Sequence, residues 1–78
     1  MNTLYVNIMK ECFYNNLGIY LDVVQIKDYF LEKHNISICN NTVHKYVNFL
    51  ANIGFNITKI RDKHNKFYYI FESSNVKF

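Results

Sequence analysis

The sequence predicts an α+β fold in which three helices precede a two-stranded β-hairpin. Through the first two thirds of the chain, apolar residues recur at three- and four-residue spacing, which is the period of an amphipathic helix. Beyond Gly54 the spacing changes to the alternation typical of β-strands, in two short segments that flank a polar loop. The 78 residues are enough for one small domain with one hydrophobic core.

The first two helices are predicted at about 3–15 and 22–34. The sequence NNLG follows the apolar stripe of the first helix, and its Asn and Gly residues favour a helix end. Asp22 precedes the second stripe and Gln25 follows three residues later, which is the spacing of a capping box. Asn35 is expected to end the second helix in a left-handed conformation.

A short edge strand is possible at 19–21, and the third helix is predicted at about 40–52. Cys39 or Asn40 begins this helix, and Gly54 follows its end. The inward-facing residues of the third helix are expected to be Val43, Tyr46 or Val47, Leu50 and Ile53.

The last predicted element is a hairpin at about 55–72, followed by a tail at 73–78. Alternation places three aromatic side chains on one face of its second strand, namely Phe67, Tyr69 and Phe71. Ile57 and Ile60 fall on opposite faces of the first strand, so a bulge or an early strand end is expected there. The complete order of elements is the winged helix-turn-helix layout.

The segment from 36 to 71 carries a pattern centred on the third helix. A β-branched residue and a capping position come first, then two polar residues, a Thr–aliphatic step, a Leu, a Gly and an aromatic strand. These positions are Ile38 and Cys39, Asn40 and Asn41, Thr42 and Val43, Leu50, Gly54, and Phe67, Tyr68 and Tyr69. The segment resembles the amino-terminal winged helix of WYL-type, DeoR-like and biotin-repressor-like bacterial regulators.

The resemblance implies that the third helix enters the major groove of double-stranded DNA. The face opposite the apolar stripe agrees, because its amide, imidazole and ammonium groups can bond to base edges, and no acidic residue occurs from 37 to 61. The expected base contacts are Asn40, Asn41, Thr42, His44, Lys45 and Asn48. The alternative is a solvated polar surface in an Asn-rich protein.

Positive charge is concentrated in the second half of the chain. Residues 1–36 carry three cations and four carboxylates, net −1, whereas residues 37–78 carry six cations and two carboxylates, net +4. The expected phosphate contacts, all on the hairpin, are Lys59, Arg61, Lys63, His64 and Lys66. Alternatively, these charges keep an exposed turn soluble and protect a strand edge.

The 14 aromatic residues exceed what a core of this size can bury. The surplus predicts an interface with a second copy of the chain, so that a homodimer contacts two half-sites in DNA. The expected interface residues are Tyr5, Phe13, Tyr14 and Phe78. Ordinary scattered surface aromatics are the alternative.

Other function classes find little support in the sequence. No segment has the length of a membrane span or the pattern of a signal peptide, so a cytoplasmic or nucleoid-associated protein is expected. Cys12 and Cys39 are expected to be thiols, although a disulfide between them is compatible with the sequence. The His and Cys spacing does not suit a metal site, and two glycines cannot build a phosphate-binding loop. We therefore expect neither metal, cofactor, small-molecule ligand nor catalysis.

The sequence thus predicts a small transcriptional regulator that binds double-stranded DNA. A protein-interaction module built on the same fold is the first alternative. The second is a protein that binds RNA or single strands by stacking bases on Tyr20 or Tyr68.

Overall fold

The computed structural model describes residues 1–72, which form three helices and a three-stranded antiparallel sheet. The elements are α1 (Thr3–Asn15), β1 (Leu21–Asp22), α2 (Val23–His34), α3 (Asn40–Asn52), β2 (Ile57–Arg61) and β3 (Phe67–Phe71). The predicted α+β class is confirmed, and each helix begins and ends within one residue of its predicted position. The predicted tail at 73–78 lies outside the described residues.

Local side-chain bonds determine where α1 and α2 begin and end. The Asp22 carboxylate accepts the Gln25 amide, and the Gln25 side chain accepts the Asp22 amide, which completes the predicted capping box. Asn35 has φ 55° and ψ 39°, the predicted left-handed conformation. The Asn2 side chain caps α1 at the Tyr5 amide, and the Asn16 side chain donates to the Cys12 carbonyl at its end.

The sheet has the order β1–β3–β2, with β3 paired on both sides. The edge strand β1 occupies Leu21–Asp22 rather than 19–21, although the Gly18 amide already donates to the Phe71 carbonyl at 2.9 Å. Pairing of β2 with β3 runs without interruption from Ile57 opposite Phe71 to Arg61 opposite Phe67. The predicted bulge or early strand end is therefore wrong, because β2 continues through Ile60, which lies on the outer face of the sheet.

The core forms between the three helices and the inner face of the sheet. It consists of Ile8, Met9, Cys12, Phe13, Leu21, Ile26, Phe30, Ile38, Val43, Tyr46, Val47, Leu50, Tyr69 and Phe71. Both Tyr46 and Val47 are buried, whereas Ile53 is 53% exposed. The predicted inward position of Ile53 is wrong because α3 ends at Asn52 and Ile53 lies beyond its last turn.

Both cysteines are free thiols, Cys12 in the core and Cys39 exposed at the start of α3. Burial raises the pKa of the Cys12 thiol to about 12. None of the helices within residues 1–72 combines the length and hydrophobicity needed to cross a bilayer.

Candidate nucleic-acid interface

The exposed side of α3 carries a row of three polar side chains. Asn41, Lys45 and Asn48 are all exposed and stand three or four positions apart, so they lie above one another along one helix face. This face opposes the buried stripe, which fixes the rotation of α3 against the core. Three of the six predicted base contacts are therefore free to meet a ligand, with two amides and one ammonium group.

Two other predicted base contacts lie at the start of α3 and are engaged within the chain. The Lys27 ammonium donates to the Asn40 side-chain oxygen at 3.0 Å, which brings a cation from α2 to the first turn of α3. The Thr42 hydroxyl lies 3.3 Å from the Cys39 sulfur. The hydrogen bond to this hydroxyl is the main cause that lowers the pKa of the exposed Cys39 thiol.

The sixth predicted base contact, His44, turns toward the sheet. Its Nδ1 atom forms a short hydrogen bond with the Tyr69 hydroxyl, and its ring meets Phe67 edge-on with centroids 5.8 Å apart. Burial lowers the pKa of His44, and the positive charge of Lys59 lowers it further. The imidazole is therefore neutral at neutral pH, so it can act as a hydrogen-bonding group but not as a cation.

Two of the predicted phosphate contacts converge on the same aromatic ring. Lys59 and Arg61 are exposed on β2, with the Lys59 ammonium 4.6 Å and the Arg61 guanidinium 5.0 Å from the centroid of Phe67. Arg61 is the direct cross-strand partner of Phe67, so the two side chains share one face of the sheet. Phe67 thereby holds two cations beside His44, and joins the hairpin to α3 in one continuous surface.

The remaining predicted phosphate contacts lie in or beside the hairpin loop. Asp62 organises this loop, because its carboxylate accepts the amides of His64 and Lys66 at 2.8 and 3.0 Å. Lys63 and His64 are exposed at the tip. Lys66 is already engaged, since its ammonium lies 3.2 Å from the Asp22 carboxylate and 5.8 Å from the Tyr68 ring centroid.

The surface formed by α3 and the hairpin is positive and almost free of carboxylates. The ion pairs found within residues 1–72 join Lys66 to Asp22 and His34 to Glu11, and neither involves Lys59 or Arg61. The hydrogen bond to Asp22 is the largest cause that raises the pKa of Lys66, which remains charged. Lys59 and Arg61 keep their charges available to an anionic partner.

Most of the residues predicted to form the subunit interface pack against other residues of the same chain. Phe13 is fully buried in the core, so its assignment to an interface is wrong: a side chain that contacts no solvent cannot contact a partner. Tyr5 is half-buried and packs edge-on against Phe30. Tyr14 is 59% exposed, with its ring against Phe71, and Phe78 lies outside the described residues.

A second apolar surface lies on the outer face of the sheet. An open cavity of about 420 Å³ is lined by Tyr20, Ile60 and Tyr68. Tyr20 is 51% and Ile60 37% exposed. Tyr68 of β3 pairs with Asp22 of β1 on one side and with Ile60 of β2 on the other. This surface faces away from α3, because alternate residues of β3 point to opposite sides.

The contacts that Phe67 and Tyr69 make at this interface were not among the predictions from sequence. The alternation of β3 places both on the face that meets the helices, but their contact with His44 spans 23 and 25 positions of sequence. An uninterrupted β2 would have placed Lys59 and Arg61 on the same face as Phe67. The expected bulge at Ile60 concealed that signal.

Within the described part of the chain, no three His, Cys, Asp or Glu side chains come together in a way that could hold a metal ion. Comparisons with protein-family models, curated proteins and solved structures give no match to this chain.

Proposed function

We propose that this chain is a winged-helix protein that binds double-stranded DNA and regulates transcription without catalysing a reaction. In this proposal α3 lies in the major groove, where Asn41, Lys45 and Asn48 face the bases. The β2–β3 hairpin is the wing and lies along the phosphate backbone. The observation that carries the proposal is the convergence of Lys59 and Arg61 on Phe67, beside His44 of α3.

The roles differ along this surface. Asn side chains can bond to adenine at N6 and N7 together, and Lys45 can donate to guanine acceptors. The exposed cations of β2 and the loop would neutralise phosphates and supply affinity for any sequence. Thr42, Asn40 and Lys66 already have partners within the chain, so we assign them supporting contacts at the start of α3 and at the wing.

The experiment that tests the proposal is a fluorescence-anisotropy titration against random-sequence duplex DNA at several salt concentrations. If Lys45, Lys59, Arg61 and Lys63 each displace one counterion, log K falls against log[salt] with a slope of roughly −3.6. Affinity then drops roughly 100-fold between about 50 and 200 mM salt. Lys59→Ala should reduce the slope by about one, whereas Lys10→Ala, the same loss of charge on α1, should leave it unchanged.

A second candidate function is supported by the apolar cavity on the outer face of the sheet. Tyr20, Ile60 and Tyr68 offer aromatic and aliphatic surface of the kind that partner proteins cover. A protein interface of this composition would persist in high salt, unlike DNA binding. Absence of duplex binding even at low salt would reject the DNA proposal and favour this candidate.

A further inference from the structure

The hydroxyl group of Tyr69 has a single hydrogen-bond partner among the described residues, the Nδ1 atom of His44. Tyr69 is only 1% exposed, so its side chain has almost no contact with bulk water. A buried O–H group left without an acceptor is costly, and an imidazole nitrogen that carries a proton cannot accept. The arrangement that leaves no O–H group without an acceptor has the hydroxyl as donor and Nδ1 as the unprotonated nitrogen.

The chemistry of both groups supports this direction. Burial raises the pKa of the Tyr69 hydroxyl, which keeps its proton. Burial and the neighbouring Lys59 lower the pKa of His44, which disfavours the doubly protonated ring. The groups that surround the imidazole are Phe67 and Tyr69 of β3, Lys59 of β2 and, across the groove between α2 and α3, Asp22 and Lys66. A neutral His44 with its proton on Nε2 satisfies all of these contacts.

The second nitrogen of the ring remains free. Nε2 of His44 makes no hydrogen bond within residues 1–72, and the side chain lines the groove beside Asn40 and Phe67. With Nδ1 occupied, the N–H at Nε2 is the polar group that His44 offers to a ligand. In the major groove such a donor suits guanine, whose N7 and O6 are both acceptors, and it can also bond to N7 of adenine or O4 of thymine, but cytosine presents only an amino group there and cannot accept.

We propose that Tyr69 is a specificity-determining residue that never touches DNA: its hydroxyl fixes His44 in the Nε2–H tautomer, so that His44 discriminates guanine from cytosine at one base step. The base-selection half of this inference rests on the proposed function, whereas the tautomer is a property of the free protein. Tyr69 therefore acts through His44 as a positioning residue.

The tautomer is tested first, by two-dimensional NMR of the imidazole nitrogens in the free protein. Wild type should show the proton on Nε2, and Tyr69→Phe should show a mixture of the two tautomers. Tyr68→Phe removes a hydroxyl from the adjacent position of the same strand and should leave the His44 signals unchanged. A proton on Nδ1 in the wild type overturns the inference, whether or not the protein binds DNA and whether or not Tyr69→Phe folds.

Base selection is tested next, on a duplex obtained by selection from random sequences. His44→Ala identifies the base step that depends on His44, and wild type should prefer guanine over cytosine there. Tyr69→Phe should weaken that preference roughly fivefold, the equivalent of about one hydrogen bond, with little change in affinity for random DNA. In His44→Gln, whose amide donates near the position of Nε2 without help from Tyr69, the added change Tyr69→Phe should have no further effect.

The outcomes separate the two claims. An Nε2 proton together with DNA binding that shows no preference for guanine over cytosine at this step overturns the specificity role and leaves the proposed function standing. An Nε2 proton with no DNA binding at any salt concentration overturns the proposed function and the specificity role together. A loss of preference in Tyr69→Phe that also appears in the His44→Gln background overturns the positioning role, because the effect would then act through the fold.

Discussion

The polar residues of α3 differ in how much of their hydrogen-bonding capacity the fold already uses. Asn41, Lys45 and Asn48 are exposed with no side-chain partner among the described residues, whereas Asn40 accepts from Lys27 and His44 bonds to Tyr69. Free side chains lose less on binding than Asn40, which must break an internal bond first, whereas His44 can keep its bond to Tyr69 and offer Nε2. Contacts to the bases should therefore depend most on Asn41, Lys45 and Asn48.

A comparison of three alanine variants tests this division of roles. Asn41→Ala and Lys45→Ala should each cost about 1–3 kcal/mol on a selected duplex and relax the preference at one base step. Lys63→Ala, at the exposed tip of the loop, should weaken binding to all sequences alike and reduce the salt slope by about one. Anisotropy on matched and single-mismatch duplexes measures both effects. Equal losses from the three variants on every duplex would overturn the assignment of roles.

Among the helices and strands, the features that could be predicted from sequence are those determined by residues close together in the chain. The capping box of Asp22 and Gln25 and the left-handed Asn35 depend on residues within one turn, and the structure confirms them. The face of Ile60 depends instead on Tyr20, a residue 40 positions away that reaches the same outer surface. No pattern within β2 could reveal this neighbour, which is why an apolar residue on the outer face suggested a bulge.

The first turn of α3 is the least well capped of the helix starts. Asn2 and Asp22 accept amide protons from the first turns of α1 and α2, whereas the Cys39 sulfur lies near enough to the Thr42 amide to help lower the thiol pKa but forms no capping hydrogen bond with it. Its backbone is extended, with φ −96° and ψ 169°, as a capping residue requires. The position therefore has the geometry of a cap without the hydrogen bond.

Cys39→Ser is accordingly expected to stabilise the fold. A serine hydroxyl can accept the Thr42 amide, a bond of about 0.5–2 kcal/mol at other helix starts. For a chain of this size about 1 kcal/mol corresponds to a rise of roughly 4–8 °C in Tm, which a thermal melt by circular dichroism resolves. Cys12→Ser is the matched control and should lower Tm, because it buries a hydroxyl group in the core. An unchanged or lower Tm for Cys39→Ser would show that the thiol already accepts a hydrogen bond from the Thr42 amide.

Across the whole molecule, charge and apolar surface lie on different sides. Lys59 and Arg61 lie on the face of the sheet that meets His44 of α3, whereas Tyr20, Ile60 and Tyr68 form the outer face. A third region, the end of α1, exposes Tyr14 against the rings of Phe55 and Phe71. An anion and a second protein could therefore occupy the molecule together, which is the arrangement that a DNA-binding homodimer needs.

Phe13 and Tyr14 are neighbours in sequence that test the homodimer without disturbing the candidate DNA surface. Phe13→Ala removes a fully buried ring and should cost about 3–5 kcal/mol, a large share of the roughly 4–12 kcal/mol expected for a chain of this length. Tyr14→Ala removes a mostly exposed ring together with its edge-on contacts to Phe55 and Phe71, and should lower the Tm of the dilute protein far less than Phe13→Ala does. Only Tyr14→Ala should shift a dimer toward monomer in sedimentation velocity while the chain stays folded. Wild type that sediments as a monomer at every concentration would reject the homodimer. A dimer that survives Tyr14→Ala and dissociates on Tyr68→Ser would instead place the interface on the outer face of the sheet.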